Sequence, residues 1–453
     1  MTPDPRDPLA SRRRSRILAA ALAVACCAAP GVRAQVAIDQ YINPNIPGFN
    51  VDPGVTVASR LRPDYDYRDV RVGALLIHPE VTESDGYETN VTGTASARGS
   101  ALILTSASLQ ATANPSVGSF GAQLTVDDFR YTDVSNQSYT NWSATVGGSY
   151  NIGRDQLDVG YTHLNLNQTP RDLNVPQLGS TLAFRVDDAR VNYRANFART
   201  FIVPGVDVSL YSFDNGFAAG VPYLQSYRDR VVVAPSVQVG YELAPRRSVV
   251  FVVRDANASY SNQLSGQPSR NFNDVSVLAG VNYDVDGVIR LRLLGGYEVR
   301  TFTSAQLTTI QSPIVEASLT WTPTGLTTVT GSAARYIEDS ASENLVGYTE
   351  TALKLNVDHE YLRNVLFTVR GAFYRDDYQQ NGGHQSLYNA GFDATWLLNR
   401  TMRLGATYDF YARQSGTATT SALNAGLGPQ GQTFGFGGNY TDNRIVLQLK
   451  LGL

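Results

Sequence analysis

The sequence predicts an all-β protein: a transmembrane, antiparallel, up-and-down β-barrel of about 18 strands, preceded by an N-terminal signal peptide. Charged residues make up only 17% of the 453 residues, against roughly 25% in soluble domains. After the N-terminus, no apolar run reaches the roughly 20 residues that a membrane-spanning helix needs. Instead, apolar and polar residues alternate in segments separated by turns from Val70 to the last residue, which is the pattern of β-strands.

Residues 1–34 are predicted to be a secretory signal peptide. A basic region between Arg12 and Arg16 precedes an apolar run from Ile17 to Ala29, and Val32-Arg33-Ala34 offers small residues for cleavage near Ala34. This order of basic, apolar and small residues is typical of signal peptides, so the segment is excluded from the fold.

Both cysteines, Cys26 and Cys27, lie inside the predicted signal, so the mature chain is expected to contain no thiol. A lipoprotein acylated at either cysteine is the less favoured alternative, because Leu22 lies one residue too far from Cys26 for the usual lipobox. The signal holds six of the 37 basic and two of the 40 acidic residues, which leaves a mature net charge of −7. No basic patch indicates a nucleic-acid partner.

Residues 35–69 form an irregular leader in which Pro44, Pro47, Pro53 and Pro63 interrupt any strand ladder. The leader is too short for a plug domain or a periplasmic repeat array. We expect it to lie in the lumen of the barrel or at its periplasmic mouth. A disordered tail is the alternative.

Residues 70–453 are predicted to be the barrel. The alternation of Val231 to Tyr241 and of Val365 to Phe373 is typical of the series, and such lengths fit the roughly 9–11 residues of a membrane strand. Short turns such as Asn151 to Asp155 alternate with long polar loops such as Asn167 to Ser180, as periplasmic turns and external loops do in outer-membrane barrels. Pairing the segments in order gives about 18 strands, within a range of 16–20.

The end of the chain predicts the strand that closes the barrel. Its apolar face holds Ile445, Leu447, Leu449, Leu451 and Leu453, at every second position. Such a face suits lipid, and the ending resembles the C-terminal insertion signal of outer-membrane barrels, with Leu453 where an aromatic residue is more usual. Because Phe434, Phe436 and Tyr440 occupy even positions, we expect either a bulge near Asp442-Asn443 or a turn there.

The opposite strand faces carry charged residues that would cost about 2–4 kcal/mol each for Arg or Lys in the middle of a bilayer, so they are expected to line a wet lumen. The candidate lumen-lining residues are Arg185, Arg190, Arg194, Arg290, Arg292, Arg300, Arg370, Arg403, Asp393 and Asp409. An Arg-rich lining favours passage of an acidic solute. Alternatively, the arginines pair with carboxylates such as Glu298 and Asp358 and the lumen is closed.

No catalytic, cofactor or metal site is predicted, and the protein is not expected to be an enzyme. The four histidines, at positions 78, 163, 359 and 384, form no HExxH motif. Asp214-Asn215-Gly216 could contact calcium but is more simply a turn.

A family resemblance covers Val57 to Val91. The stretches Arg60 to Asp66, Val70 to Gly73 and Tyr87 to Val91 resemble the start of the putative outer-membrane β-barrel porin 2 family, in which such a leader enters a long first strand. Asp69 stands where that family often has Gly. Proteins similar to this family are often linked to exopolysaccharide export, so the resemblance implies an export role.

These observations lead to a predicted function. We expect a pore in the outer membrane of a Gram-negative bacterium for export or passage of a polar, acidic polysaccharide or solute. The alternative is a structural or surface-interaction barrel with a closed lumen. The expected partners are outer-membrane lipid and lipopolysaccharide, the barrel assembly machinery and periplasmic polysaccharide-export components.

Overall fold

Eighteen long antiparallel strands form one closed cylinder. The computed structural model describes residues 45–49, 54–176, 179–218, 221–285, 287–342, 345–379, 383–416 and 437–453. In chain order the long strands are β1 (Leu75–Glu88), β2 (Ser100–Ala113), β3 (Gly118–Tyr131), β4 (Tyr139–Ile152), β5 (Asp155–Gln168), β6 (Leu182–Asn196), β7 (Thr200–Phe213), β8 (Arg230–Ala244), β9 (Arg247–Tyr260), β10 (Phe272–Val285), β11 (Ile289–Phe302), β12 (Ile310–Thr324), β13 (Thr327–Asp339), β14 (Gly347–Leu362), β15 (Val365–Tyr378), β16 (Gly383–Leu397), β17 (Met402–Ser415) and β18 (Tyr440–Gly452).

Each strand pairs with the next, and the last strand closes the cylinder by pairing with the first. The β18 ladder to β1 runs from Glu80↔Gly452 to Glu88↔Arg444, and its other edge pairs with β17. The predicted fold and strand number are therefore confirmed. Closure leaves no free long edge at the seam between the ends of the chain, which a membrane barrel requires.

The expected irregularity near Asp442-Asn443 is wrong. The β17–β18 ladder starts at Arg413↔Tyr440 and continues to Met402↔Leu451 without a register shift. Tyr440 lies on the inner face and is 5% exposed, so an aromatic residue at an even position needs no bulge to share this strand with Ile445. Phe434 and Phe436 lie outside the described residues.

The apolar band faces outward and the charged faces line the lumen. On β8, the odd-numbered Val237, Val239 and Tyr241 are exposed, whereas the even-numbered Val232 and Ala234 are buried. Strands of 13–16 residues exceed the roughly 9–11 that span a bilayer, so their ends reach beyond it. No described helix is long and apolar enough to cross a membrane.

Both ends of the barrel sequence lie at the same rim, where the connections are short. The turns at 153–154 and 245–246 there place Gly153 and Arg246 in the left-handed backbone region. We call this rim the short-turn end. The opposite rim, the long-loop end, carries the connections 89–99, 169–181, 214–229 and 261–271. Within 214–229 lie a small hairpin (Gly216–Ala218 with Val221–Tyr223) and a short 3-10 helix (Ser226–Arg228); another is Ser135–Gln137.

The chain enters the barrel through a short strand, Val70–Val72, which pairs with Leu75 to Ile77 at the start of β1. The described leader residues before it, 45–49 and 54–69, contact the inner wall of the cylinder. Their contacts define the candidate site.

Candidate functional site

The inner face holds nine of the ten predicted lumen residues. On β6 these are Arg190 and Arg194, which share the even-numbered face with the buried Phe184 and Val186. The others lie on the inner faces of β11, β15, β16 and β17, and are Arg290, Arg292, Arg300, Arg370, Asp393, Arg403 and Asp409.

Arg185 is the exception, and its prediction is corrected. It has an odd number, lies on the outer face of β6 with its side chain 50% exposed, and its Nη2 is 3.2 Å from Oδ1 of Asp214. The reason is an inverted pattern near the long-loop end. There the inner faces pack an apolar cluster that includes Leu164, Phe184 and Val186, while the outer face stands in water and carries polar residues.

The wall formed by β15 to β18 is electrically paired. Arg370 contacts Asp393, and its Nη2 lies 2.7 Å from Oδ1 of Asp409. Arg444 Nη2 holds the other oxygen of Asp409 at 2.9 Å. These charges neutralise one another across four strands, which is the pairing that the closed-lumen alternative expects.

The opposite wall, formed by β6 to β11, holds what we call the arginine wall: Arg190, Arg194, Arg254, Arg290 and Arg292. Three of its members are paired. Arg190 Nη2 lies 3.1 Å from Asp188, and Arg290 Nε lies 3.4 Å from Asp284. Arg254 donates to both carboxylate oxygens of Glu316. Sequence reasoning missed Arg254, although its even position on β9 marks it as inward-facing.

Arg194 and Arg292 differ from the rest of the arginine wall. Among the described residues, no carboxylate lies within ion-pair distance of either guanidinium. Arg194 stacks on the Phe201 ring at 3.8 Å. Arg292 donates to neutral amide oxygens, Asn282 Oδ1 at 3.0 Å and Gln238 Oε1 at 3.1 Å. Neither guanidinium is therefore held in a direct ion pair, and the carboxylates that act on them, Glu242 and Asp158 on Arg194 and Glu316 on Arg292, do so at longer range.

The first part of the leader is seated on a row of three glycines. Gly121, Gly147 and Gly160 are direct neighbours across β3, β4 and β5, and we call them the glycine row. A Cβ at Gly147 would lie 2.1 Å from the carbonyl oxygen of Pro47, and one at Gly160 would lie 2.4 Å from the Phe49 ring. Only glycine leaves room for this close approach of a second chain segment.

The seated segment also reaches the arginine wall. The Arg190 guanidinium lies over the Phe49 ring at 4.4 Å, and Ile46 is fully buried. Further along, Gly54 lies against the guanidinium of Arg290. The leader therefore touches both ends of the wall that carries the unpaired arginines.

The second part of the leader follows the inside of the short-turn end. Val57 N donates to Thr328 Oγ1 at 2.8 Å, Arg62 Nη2 donates to Glu360 Oε2 at 2.8 Å, and Arg400 Nε donates to the Pro63 carbonyl at 2.7 Å. Both members of the Arg62–Glu360 pair are buried, and such a pair is costly to break. Tyr67 stacks against Arg403 at 3.9 Å, and burial raises the pKa of Tyr67 to about 12.

At the long-loop end, the described residues 169–176 reach across the mouth. Arg413 Nη1 donates to the carbonyls of Pro170 at 2.9 Å and Asp172 at 3.0 Å. On the far side, the backbone N–H of Ala341 donates to Asn174 Oδ1 at 3.2 Å. Burial raises the pKa of the Asp172 carboxyl. The lumen is thus obstructed at both levels, by this loop and by the leader.

The described residues contain no group of three or more His, Cys, Asp or Glu side chains placed to hold a metal ion. The Asp214 carboxylate of the Asp214-Asn215-Gly216 turn pairs with Arg185.

A family model described as putative beta-barrel porin 2 matches residues 62–426. Among solved structures, OpdK of Pseudomonas aeruginosa with vanillate is 11% identical, with 83% of this chain and 99% of that chain covered and a TM-score of 0.42. OccK2 (OpdF) of the same organism with glucuronate is 13% identical, with coverages of 83% and 98% and a TM-score of 0.42. OccAB4 of Acinetobacter baumannii is 11% identical, with coverages of 83% and 98% and a TM-score of 0.41. No curated protein matches the chain.

Proposed function

Because the chain belongs to the putative beta-barrel porin 2 family, we propose that this porin-like barrel of the Gram-negative outer membrane is a gated channel for small anionic solutes and not an enzyme. The observation that carries the proposal is the pair of lumen arginines, Arg194 and Arg292, that lack a carboxylate partner among the described residues. In the outer-membrane arrangement the short-turn end is periplasmic and the long-loop end is external.

Most other charged residues of the lumen are paired, so these two arginines are expected to contribute most to anion selectivity. An arginine bonded to a carboxylate presents little net field to a passing ion, whereas an uncompensated guanidinium favours anions at close range. The Phe201 ring covers one face of the Arg194 guanidinium, and its Nε donates to Asn196 Oδ1 at 3.0 Å, so the edge formed by its two Nη groups is the one that can meet a solute. A planar N–H edge matches a carboxylate with two parallel hydrogen bonds. A small carboxylate is therefore the solute class that this wall suits best.

A small solute fits the obstructed lumen better than a polymer does. Polysaccharide export, which the family resemblance implied, finds no support in the comparisons. An extended polysaccharide would have to displace the leader and the 169–176 loop at the same time. A small solute needs each obstruction to move only in turn. Contacts with lipopolysaccharide and with the barrel assembly machinery remain predictions.

The closed structural barrel is a second candidate, favoured by the paired charges of Arg370, Asp393, Asp409 and Arg444 and by the double obstruction of the lumen. The two functions differ in conductance. A channel passes ions in a planar bilayer, and a closed barrel does not.

We predict that the double substitution Arg194→Gln and Arg292→Gln lowers the anion-to-cation permeability ratio several-fold, because it removes from the pore wall two positive charges that form no direct ion pair with a described carboxylate. The measurement is the reversal potential of the reconstituted full-length protein in a KCl gradient. The matched control is Arg254→Gln with Glu316→Gln, which removes a paired arginine without changing the net charge and should leave the ratio unchanged. Equal ratios for both double variants would contradict the proposed selectivity, and absence of conductance in all of them would favour the closed barrel.

A further inference from the structure

The wall of the barrel has a break between β12 and β13 at the long-loop end. Their ladder runs from Thr324↔Thr327 to Val315↔Arg335 and stops there. On its other side, β12 continues to pair with β11 as far as Arg300↔Ile310. Among the described residues, the edge of Ile310 to Ile314 that faces β13 therefore has no strand partner. Pro313 lies in this stretch, and proline is tolerated only where a strand edge is not fully paired.

The missing partner is the end of β13, which lies on the inner side of β12, while the start of β14 stays paired with β15 as far as Tyr348↔Tyr378. Tyr336 to Asp339 pairs with Gly347 to Glu350, and we call these two segments the hairpin arms. By alternation, Ile337 should face outward beside Arg335, yet it is only 2% exposed. Its N–H donates to Glu298 Oε2 of β11 at 3.0 Å. The arms thus lie on the inner side of β12 and reach the strand beyond it.

A buried ionic latch holds the arms in this position. Arg300 of β11 donates from Nη1 to Asp339 Oδ1 at 2.8 Å and from Nη2 to the Ile337 carbonyl at 2.9 Å. Arg230 of β8 lies 3.1 Å from the other oxygen of Asp339. Arg300 also holds Asp274 at 2.8 Å, and all four side chains are buried. The latch fastens the arms to strands that are not their neighbours in the barrel.

We propose that the hairpin arms are a gate with two positions. In the inward position described above, the latch is formed, the edge of β12 is unpaired, and the arms contribute to the obstruction of the external mouth. In the outward position, the latch is broken and Tyr336 to Asp339 extends the existing ladder along Gln311 to Ile314. The ends of β14 and β15, which are paired to each other, move with it, and the lumen is cleared. Outward movement restores strand pairing that the inward position leaves unmade.

The free-energy difference between the inward and outward positions depends on two sets of contacts: the backbone hydrogen bonds of β12 and the ion pairs of Asp339. An unpaired strand edge is a ready template for a strand, and the backbone groups of Gln311 to Ile314 gain partners when the gate opens, apart from Pro313, which has no N–H to donate. Opening separates Asp339 from two guanidinium groups, and a buried charge that loses its partner is strongly unfavourable. Water entering the lumen, or an anionic solute that contacts Arg300 or Arg230 in place of Asp339, lowers that cost. This last step rests on the proposed passage of anions, whereas the movement itself does not.

Cysteine cross-linking tests the movement directly, because neither Cys26 nor Cys27 lies in the barrel. Continuing the β12–β13 register beyond Val315↔Arg335 brings Ser312 directly opposite Glu338 in the outward position. We expect the Ser312→Cys and Glu338→Cys variant, in native outer membranes, to form a disulfide slowly under oxidation. Adding Asp339→Asn should raise the rate about tenfold, the ratio that corresponds to the loss of one charged hydrogen bond.

Two further pairs complete the test. Ser318→Cys with Ser332→Cys joins residues that are already paired on the same two strands, so it should cross-link rapidly with or without Asp339→Asn. Ile310→Cys with Gly347→Cys should lock the inward position, because a Cβ at Gly347 would meet the side chain of Ile310. Conductance should fall when this second pair is oxidised and recover on reduction.

The gate would be refuted if Ser312→Cys and Glu338→Cys gave no disulfide, even with Asp339→Asn, while the Ser318–Ser332 control pair cross-linked fully. A rate that Asp339→Asn leaves unchanged would refute the latch. If the cross-links form as expected but no variant conducts, the movement stands and the proposed channel function fails, so the two failures are distinguishable.

Discussion

Replacing Leu447 and Leu449 by Asp should prevent assembly of the barrel. Both side chains lie on the outer face of β18, where Leu447 is 64% exposed, and this strand closes the cylinder against β1. A charge at the middle of the bilayer costs about 2–4 kcal/mol for Arg or Lys and less for Asp. Repulsion between carboxylates on β18 and β1 adds to this cost. Leu449 stands directly opposite Glu83, and Leu447 opposite Asp85, so each new carboxylate faces an existing one.

The sign of the new charge provides the control. Like charges directly opposite each other destabilise a strand pair, and opposite charges stabilise it. Leu447→Arg with Leu449→Arg should therefore assemble better than the double Asp variant, although the intrinsic lipid penalty is larger for Arg. The measurement is the fraction of protein in the outer membrane that resists protease and shows heat-modifiable mobility. Equal assembly of the Asp and Arg variants would show that closure against β1 is not the sensitive step.

Gly147→Val should displace the first part of the leader and raise the single-channel conductance several-fold. The added Cβ would lie 2.1 Å from a backbone oxygen of Pro47, which no rotamer change relieves, so the seated segment must leave the glycine row. Valine is otherwise favourable in a strand, and the barrel wall should keep its pairing. The measurement is conductance of the full-length protein in planar bilayers, with circular dichroism to verify the β content.

The matched control is Gly405→Val, an inward-facing glycine of β17 at which the atoms nearest to a Cβ belong to the Gln448 side chain, at 3.5 Å or more. It should leave the conductance unchanged. Deletion of residues 45–49 should reproduce the effect of Gly147→Val, and combining the two changes should add nothing further, since both remove the same contact. A Gly147→Val protein that folds and conducts like the wild type would show that the seated segment does not restrict the pore.

Much of the fold is determined locally and was predictable from the sequence. The period of two identifies strands, and the alternation of short and long connections identifies the two rims, because side-chain direction and turn chemistry depend on neighbouring residues only. The strand number of 18, the closing role of Ile445 to Leu453 and the inward position of Arg290 and Arg292 followed from these patterns. The alternation predicted the wrong face for Arg185, because the usual polarity of the inner and outer faces is reversed near the long-loop end. Around Arg185 the lumen is packed with apolar side chains and the outer surface lies in water, so polarity no longer indicates which face is inside.

What only the tertiary structure decided are contacts between residues far apart in the chain. Arg62 and Glu360 are 298 positions apart and Arg413 and Pro170 are 243 apart, and no local pattern pairs them. The glycine row exists only because the registers of β3, β4 and β5 place Gly121, Gly147 and Gly160 side by side. Likewise, the alternation of Thr327 to Asp339 does not predict that the last residues of β13 separate from β12. Barrel closure sets which inner faces meet, and it therefore determines which charges are paired and which, like those of Arg194 and Arg292, form no ion pair with a described carboxylate.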